Sequence, residues 1–260
     1  MADDGYLLAD APARRLAALA AIFDPVTRRH VTALGVPVGG ACWEVGAGGT
    51  TVVRWLAEQV GPGGRVLATD IDVTSVMAAA GAVVDVRRHA VGVDPTPDER
   101  FDLVHARLVL VHVPERDDAL ATMAEALAPG GWLLAEEADP ALQPLACLDP
   151  VTPDDELANR LRTGFRTLMS GRGVDLTFGR TLPRRLRQAG LVDVAADAYF
   201  PVARPECNDL ELATIETIRH LLVDHGIATE PEIERHLASV AAGRLDLAQP
   251  PLVSAWGRKP

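Results

Sequence analysis

Lysine is almost missing from this chain. Lys259 is the only one among 25 basic residues, against 36 acidic ones, and the formal charge is -11. Such a balance repels a phosphate backbone, and no Lys/Arg cluster is large enough to make a basic face, so nucleic acid is not an expected partner. Cysteine is scarce too. Cys42, Cys147 and Cys207 show no C-x-x-C spacing, which signals neither a zinc knuckle nor a disulfide framework and leaves buried thiols as the expectation. No apolar run approaches the roughly 20 residues that span a bilayer, so no membrane partner is expected. The start, Met1-Ala2-Asp3-Asp4-Gly5-Tyr6, lacks the basic and apolar regions of a signal peptide, and the expected location is cytoplasmic. Internal repeats are absent.

What is present is an ordinary globular composition: 260 residues, 48% hydrophobic and 23% charged, enough for one large α/β domain with a small appended cap. Abundant alanine, with arginine used almost to the exclusion of lysine, points to high-GC coding and a bacterial source.

The hydrophobic period changes along the chain. Residues 12 to 22 place Leu16, Leu19 and Ile22 at helical spacing, and Asp24-Pro25 predicts the start of a second helix ending near Gly35. Residues 1–40 therefore read as an N-terminal helical cap segment. From Ala41 strands and helices alternate: strand 41–45, a glycine turn, helix 50–60, strand 65–69, a helix after Asp72, and strands 83–86 and 101–105. A helix opened by Pro114 and a strand 132–136 follow. This alternation predicts an α/β fold, a mostly parallel sheet with helices on both faces. Strand candidates recur at 191–200 and 250–256, separated by helical stretches. Insertions of about 40 to 50 residues, at about 140–180 and 201–250, are long enough to be functional caps.

Strand, glycine turn and helix form an anion and nucleotide cradle around Gly46, Ala47, Gly48 and Gly49. A dinucleotide fingerprint wants a third glycine where Thr51 stands. Glu44, at the end of the first strand, is costly there without a partner, and a cofactor ammonium is one candidate. Asp70 closes the second strand, placed to accept two ribose hydroxyls; capping the next helix is the alternative, although Asp72 suits that better.

Taken together, Glu44-Val45-Gly46-Ala47-Gly48-Gly49-Thr50, Val66-Leu67-Ala68-Thr69-Asp70, Phe101 to Arg107 and Leu127-Ala128-Pro129-Gly130-Gly131 resemble the successive motifs of class I, Rossmann-like S-adenosylmethionine (SAM) dependent methyltransferases of the small-molecule type. The resemblance covers residues 41 to 137. It implies a seven-stranded sheet with the last strand antiparallel, preceded by N-terminal helices and carrying cap insertions after strands five and six. The cofactor it implies is SAM. Gly46, Ala47 and Gly48 would approach its methionine part, Glu44 would serve the amino group, and Asp70 would hold the ribose. Ile71 and the Val91 backbone would meet adenine, with Ala106 and Arg107 bordering the methionine moiety.

Two departures stand out: Thr50 replaces the third family glycine, and Ala90 replaces the carboxylate often found after strand three, for which Asp94 is a possible substitute. Arg107 is open between the SAM carboxylate and a structural pairing with Glu44 or Glu136. His112 matches the position of a histidine near the methyl group in related enzymes and is the candidate general base; a plain histidine beside the helix start is its alternative. Glu136 and Glu137 would face the acceptor, or be solvated charge. Tyr6 resembles a segment that folds over SAM, with a free tail as the alternative. No carboxylate follows strand four, so no metal is expected.

The expected reaction is in-line methyl transfer to an N, O or C nucleophile of a small, partly apolar molecule, such as a bacterial secondary metabolite. The rivals are an NAD(P)-dependent oxidoreductase and a noncatalytic SAM-binding module of the same fold. Thr51 and the absence of a Tyr-x-x-x-Lys pair oppose the first. A homodimer is left open.

Overall fold

The computed structural model describes residues 13–260, so Tyr6 lies outside the described residues. Seven strands form one sheet: β1 (Ala41–Val45), β2 (Arg65–Asp70), β3 (Val84–Arg88), β4 (Phe101–Arg107), β5 (Leu127–Ala138), β6 (Val192–Tyr199) and β7 (Leu252–Arg258). Their order is β3-β2-β1-β4-β5-β7-β6. β1 is parallel to β2 and β4, β2 to β3, and β4 to β5, whereas β7 runs antiparallel to β5. This is the Rossmann-like α/β sheet expected from the sequence. The helices are α1 (Ala13–Leu34), α2 (Thr51–Val60), α3 (Arg116–Glu125), α4 (Pro153–Gly171), α5 (Leu182–Gln188), α6 (Pro205–Asp224) and α7 (Glu230–Ala241).

Strand alternation explains the packing. In β1, Cys42 joins one apolar cluster with Val52, Val53 and Leu56 of α2, while Trp43 joins the opposite cluster with Leu120 and Met123 of α3 and Leu186 of α5. All five residues of β1 are buried, as a central parallel strand covered on both faces requires. Asp102 Oδ2 accepts from Ala41 N at 2.8 Å and pins the entry of β1.

The described residues divide into two compact units: a sheet unit (Asp24–Ala138, Phe178–Ala198, Leu252–Pro260) and a helical unit (residues 13–23, Asp139–Thr177, Tyr199–Pro251). Within the helical unit, Leu157, Leu161, Ile218, Leu222 and Ile233 make the core. Gly164 lets α4 approach Ile227, whose Cγ2 would lie 2.3 Å from any added Cβ. Capping boxes at Thr152/Asp155 and Thr229/Glu232 start α4 and α7. A buried triad anchors three segments: Glu211 accepts from Arg162 Nη2 at 3.1 Å and lies 3.0 Å from His236 Nε2. Burial alone would raise its carboxyl, but the Arg162 charge and the His236 bond outweigh that and hold it at about 2.

Three local expectations are corrected. The N-terminal segment is one helix, α1, with Pro25 inside it, and not two helices meeting at Asp24. An internal proline costs about 3 kcal/mol against alanine, but Asp24 and Thr27 are both bound to Arg107, and these anchors hold the helix through the break. After Asp72 only a single 3-10 turn forms, Met77–Ala79, because the Asp72 side chain binds Thr74 N and Oγ1 and closes a local turn instead. Pro114 precedes a helix that starts only at Arg116, after a 3-10 turn at Leu110–His112.

Candidate functional site

The sheet order reverses between β1 and β4, so the loops leaving their C-terminal ends diverge and open the crevice where α/β sheets bind ligands. Into it comes the loop Gly46 to Thr50. Gly46 and Gly48 have φ of 62° and 58°, a left-handed conformation that glycine adopts at little cost. An added Cβ on Gly46 would lie 2.3 Å from Val109 Cγ2, whereas one on Gly49 would meet no atom within 4 Å. The loop is thus wedged on one side and open on the other. Ala47 N donates to Thr69 O at 3.0 Å, and Gly48 N donates to Asp70 Oδ2 at 2.9 Å.

Asp70 Oδ1 accepts a second backbone donor, Asp72 N, at 3.1 Å. Each carboxylate oxygen keeps a further lone pair, so the group both fixes the loop and retains acceptor capacity for a diol. Ile71, 67% exposed, offers apolar surface beside it. Thr50 stands at the helix start with φ of -100°, which any residue adopts, so the missing third glycine costs the backbone nothing. It makes no side-chain cap bond, leaving the first amides of α2 without that partner. After β3, Asp94 Oδ2 accepts from Ala90 N at 2.7 Å and closes the turn, while Val91 is buried against the core. An open glycine face, spare carboxylate capacity, an exposed isoleucine and a helix N-terminus fit a nucleoside carrying a charged amino-acid tail.

Beneath this loop the sequence expectations need correction. Glu44 is buried and its partner is a side chain: His105 Nδ1, at 2.6 Å from Glu44 Oε2. His105 Nε2 lies 3.2 Å from Glu136 Oε2. Glu136, expected at the acceptor side or in solvent, is fully buried as the hub of a polar row. It accepts from Ser254 Oγ at 2.6 Å and from Thr27 Oγ1, and its Oε1 is 3.3 Å from His30 Nδ1. His30 Nε2 in turn lies 3.0 Å from Asp197 Oδ1. Registry explains the row: Glu44 pairs with His105 across β1 and β4, and Glu136 with Ser254 across β5 and β7.

Burial by itself would push the His105 imidazolium down, but the Glu44 charge and bonds to both carboxylates outweigh it and hold the group up at about 9. Burial would likewise raise Glu136, yet bonds to His105 and His30 take it well below the usual carboxylate range. Arg107 is structural in its contacts, with partners other than those anticipated: Nη2 donates to Asp24 Oδ1 at 2.8 Å and Nη1 to Thr27 Oγ1 at 2.9 Å. Ala106 is fully buried between Val45 and Ala135.

Glu137 also departs from expectation. It neither faces solvent nor presents a free carboxylate, being fully buried with Oε1 accepting from Val109 N at 3.0 Å and Leu110 N at 2.6 Å. Burial pushes its carboxyl up to about 8 against those amides. His112 is exposed at the end of the 3-10 turn that follows.

Sequence reasoning missed Asp24, Thr27, His30 and His105. The sign was legible for His105: an ionisable residue between the apolar Val104 and Ala106 in the middle of a strand needs buried partners, as Glu44 does. Among the described residues, no group of three or more His, Cys, Asp and Glu is arranged to hold a metal ion, and no helix is long and apolar enough to cross a membrane.

Comparison with known proteins agrees with this geometry. Residues 43–133 match the model of a methyltransferase domain family. Methyltransferase str3 of Strobilurus tenacellus is 37% identical over 91 residues, covering 34% of this chain and 30% of that protein. The ubiquinone/menaquinone biosynthesis C-methyltransferase UbiE of Hahella chejuensis is 28% identical over 120 residues, covering 43% of this chain and 48% of that one. The chain thus spans less than half the length of either relative. A Haemonchus contortus phosphoethanolamine N-methyltransferase 2, solved with phosphomonomethylethanolamine and S-adenosylhomocysteine, superposes with a TM-score of 0.54 at 15% identity, covering 95% of this chain and 52% of that one. The antiparallel β7 and these matches leave the oxidoreductase alternative without support.

Proposed function

We propose that this chain, which carries a class I SAM-dependent methyltransferase domain, transfers the methyl group of SAM to an N, O or C nucleophile of a small, partly apolar molecule, such as a bacterial secondary metabolite. The observation that carries the reading is the bond from Gly48 N to Asp70 Oδ2. It joins the open glycine face to a carboxylate with spare acceptors at adjacent strand ends, the two features a SAM nucleoside and its tail require. SAM supplies a methyl group already activated on a sulfonium, so no strong base is demanded of the protein. Gly46 to Gly49 and the α2 N-terminus hold the tail, Asp70 the ribose, and Ile71 with the Val91 backbone the adenine.

Glu44 acts in this reading from beneath the loop, where His105 Nδ1 holds its Oε2. His112, exposed on the turn after β4, takes the acceptor's proton where the nucleophile carries one. Residues 1–40 and the insertions at about 140–180 and 201–250 contribute acceptor choice, supported by their length alone. A formal charge of -11 speaks against a nucleic-acid acceptor and suits a cytoplasmic enzyme acting on small molecules. A homodimer is compatible with all of this.

Calorimetry tests the cofactor: SAM and S-adenosylhomocysteine each bind, and a flat titration of both against folded protein sinks the proposal. Asp70→Ala weakens S-adenosylhomocysteine about 100-fold, since two hydrogen bonds to a charged acceptor are lost. Asp70→Asn loses less. A screen of aromatic amines, phenols and indoles, read by S-adenosylhomocysteine release, identifies the acceptor. With a protic acceptor in hand, His112→Gln lowers kcat by about 100-fold or more, with KM for SAM nearly unchanged. An unaltered kcat would remove His112 from the chemistry.

A further inference from the structure

The segment after β4 does not hold its shape by local preference. Leu108 has φ of 58°, a left-handed backbone that is strained for a residue carrying a β-carbon. Something outside the segment must fix it. Leu108 N donates to Glu136 O at 2.8 Å, and the next two amides, Val109 N and Leu110 N, both donate to the single oxygen Glu137 Oε1. Those amides open the 3-10 turn Leu110–His112, and His112 N closes it on Val109 O at 2.9 Å.

Glu137 is an expensive way to do this. It is fully buried, and Oε2 has no hydrogen-bond partner, a desolvation cost that an apolar residue of similar length would avoid. What the carboxyl group provides is an acceptor at the one place where two successive amides converge. The consequence is felt at the cofactor loop. Val109 is the residue whose Cγ2 presses against Gly46, so the loop is gripped between Asp70 on the β2 side and Val109 on the β4 side.

We infer that Glu137 is a positioning residue of the cofactor site: it holds residues 108–112 in the shape that walls Gly46 with Val109 and sets where His112 stands. This rests on the methyltransferase reading of the loop. Glu137 touches neither cofactor nor acceptor and acts through Val109 and the turn.

The test compares Glu137→Gln, which keeps an acceptor oxygen, with Glu137→Met, which keeps length and removes it. Amide hydrogen exchange of segment 108–113 is followed in the ligand-free protein, and S-adenosylhomocysteine affinity by calorimetry. Glu137→Gln stays within about threefold of wild type in affinity and keeps its protection, while Glu137→Met exchanges faster in this segment and binds at least about tenfold more weakly. A purely space-filling role predicts the reverse for Met: unchanged affinity and unchanged exchange, and that outcome overturns the inference. Val109→Ala, which leaves Glu137 and the turn intact, covers the case in which Glu137→Met does not fold. It weakens binding without faster exchange, and wild-type affinity there breaks the link from turn to loop. Wild-type protein that binds no S-adenosylhomocysteine overturns the methyltransferase reading and this inference with it. A binding wild type with an equally tight Glu137→Met overturns this inference alone.

Discussion

Gly46→Ala is expected to destabilise the protein by about 2–4 kcal/mol and to abolish measurable S-adenosylhomocysteine binding. Two costs add. The left-handed φ of 62° is disfavoured for alanine by roughly 1 kcal/mol, and the new Cβ would stand 2.3 Å from Val109 Cγ2 and 3.0 Å from its Cγ1. A β-branched neighbour cannot rotate both methyls away, so either the loop or the 108–110 turn shifts, an overpacking cost of about 1–3 kcal/mol. Gly48→Ala is the informative companion. Its φ is 58°, but the nearest atom to an added Cβ is Gly46 O at 3.9 Å, so only the backbone cost applies. Binding lost at Gly48 with stability nearly kept would mark that face as the one a ligand occupies. Val109→Ala in the Gly46→Ala background recovers part of the stability, because it removes the clashing methyls. Denaturant melts and calorimetry on the four proteins decide the matter, and wild-type affinity in Gly46→Ala would exclude the loop as the cofactor site.

How far this site was legible in the sequence differs by the kind of interaction. The strand, glycine turn and helix at 41–60 and Asp70 at the end of β2 follow from local rules of period and turn chemistry, and the resemblance that implied the seven-stranded sheet rested on them; the strand expected at 132–136 is longer, because β5 already starts at Leu127 and runs through Gly130-Gly131. Glu44 was half legible: a carboxylate at a buried strand end needs a partner, but whether a cofactor or a side chain supplies it depends on which strand lies alongside. That partner, His105, comes from strand β4, 61 positions away. Glu136 and Glu137 were misread as acceptor-facing or solvated for a related reason. Consecutive strand residues point to opposite faces, and here both faces are covered, one by Thr27, His30 and Ser254 and the other by the turn after β4. The continuous α1 escaped because Asp-Pro is a strong helix-start pattern that only a tertiary anchor, Arg107, could override.

The same buried row makes the protein's stability depend on pH in a direction that can be worked out. His105 is held at about 9 in the folded protein against 6.5 for the free side chain, so its stabilisation is complete below 6.5 and is lost as pH rises through 9. Glu137, raised to about 8 from 4.5, acts in the same sense: the buried acid is tolerated while protonated, and stability falls between 4.5 and 8. Glu211, lowered to about 2, and Glu136, also lowered, work the other way, with stability lost as pH drops below 4.5. Maximal stability is therefore expected at mildly acidic pH, with a fall toward pH 9 of order 3 kcal/mol from His105 alone. The groups facing His105 are Glu44 and Glu136, and Glu136 also meets His30, whose own pKa is raised, so the alkaline limb belongs to the row as a unit. His105→Leu leaves two carboxylates in a dry interior without the cation between them, and a loss of about 3–5 kcal/mol at pH 7 follows. His105→Asn, which cannot titrate, removes the His105 share of the alkaline limb and leaves the fall between pH 4.5 and 8 that Glu137 causes. Thermal melts from pH 4 to 9 on the three proteins check this: equal wild-type Tm at pH 6 and 9 would show that His105 is not charged between the two glutamates. Because Glu44 is only two residues before Gly46, the alkaline loss reaches the cofactor loop, and S-adenosylhomocysteine affinity is expected to fall further along the same limb in wild type than in His105→Asn.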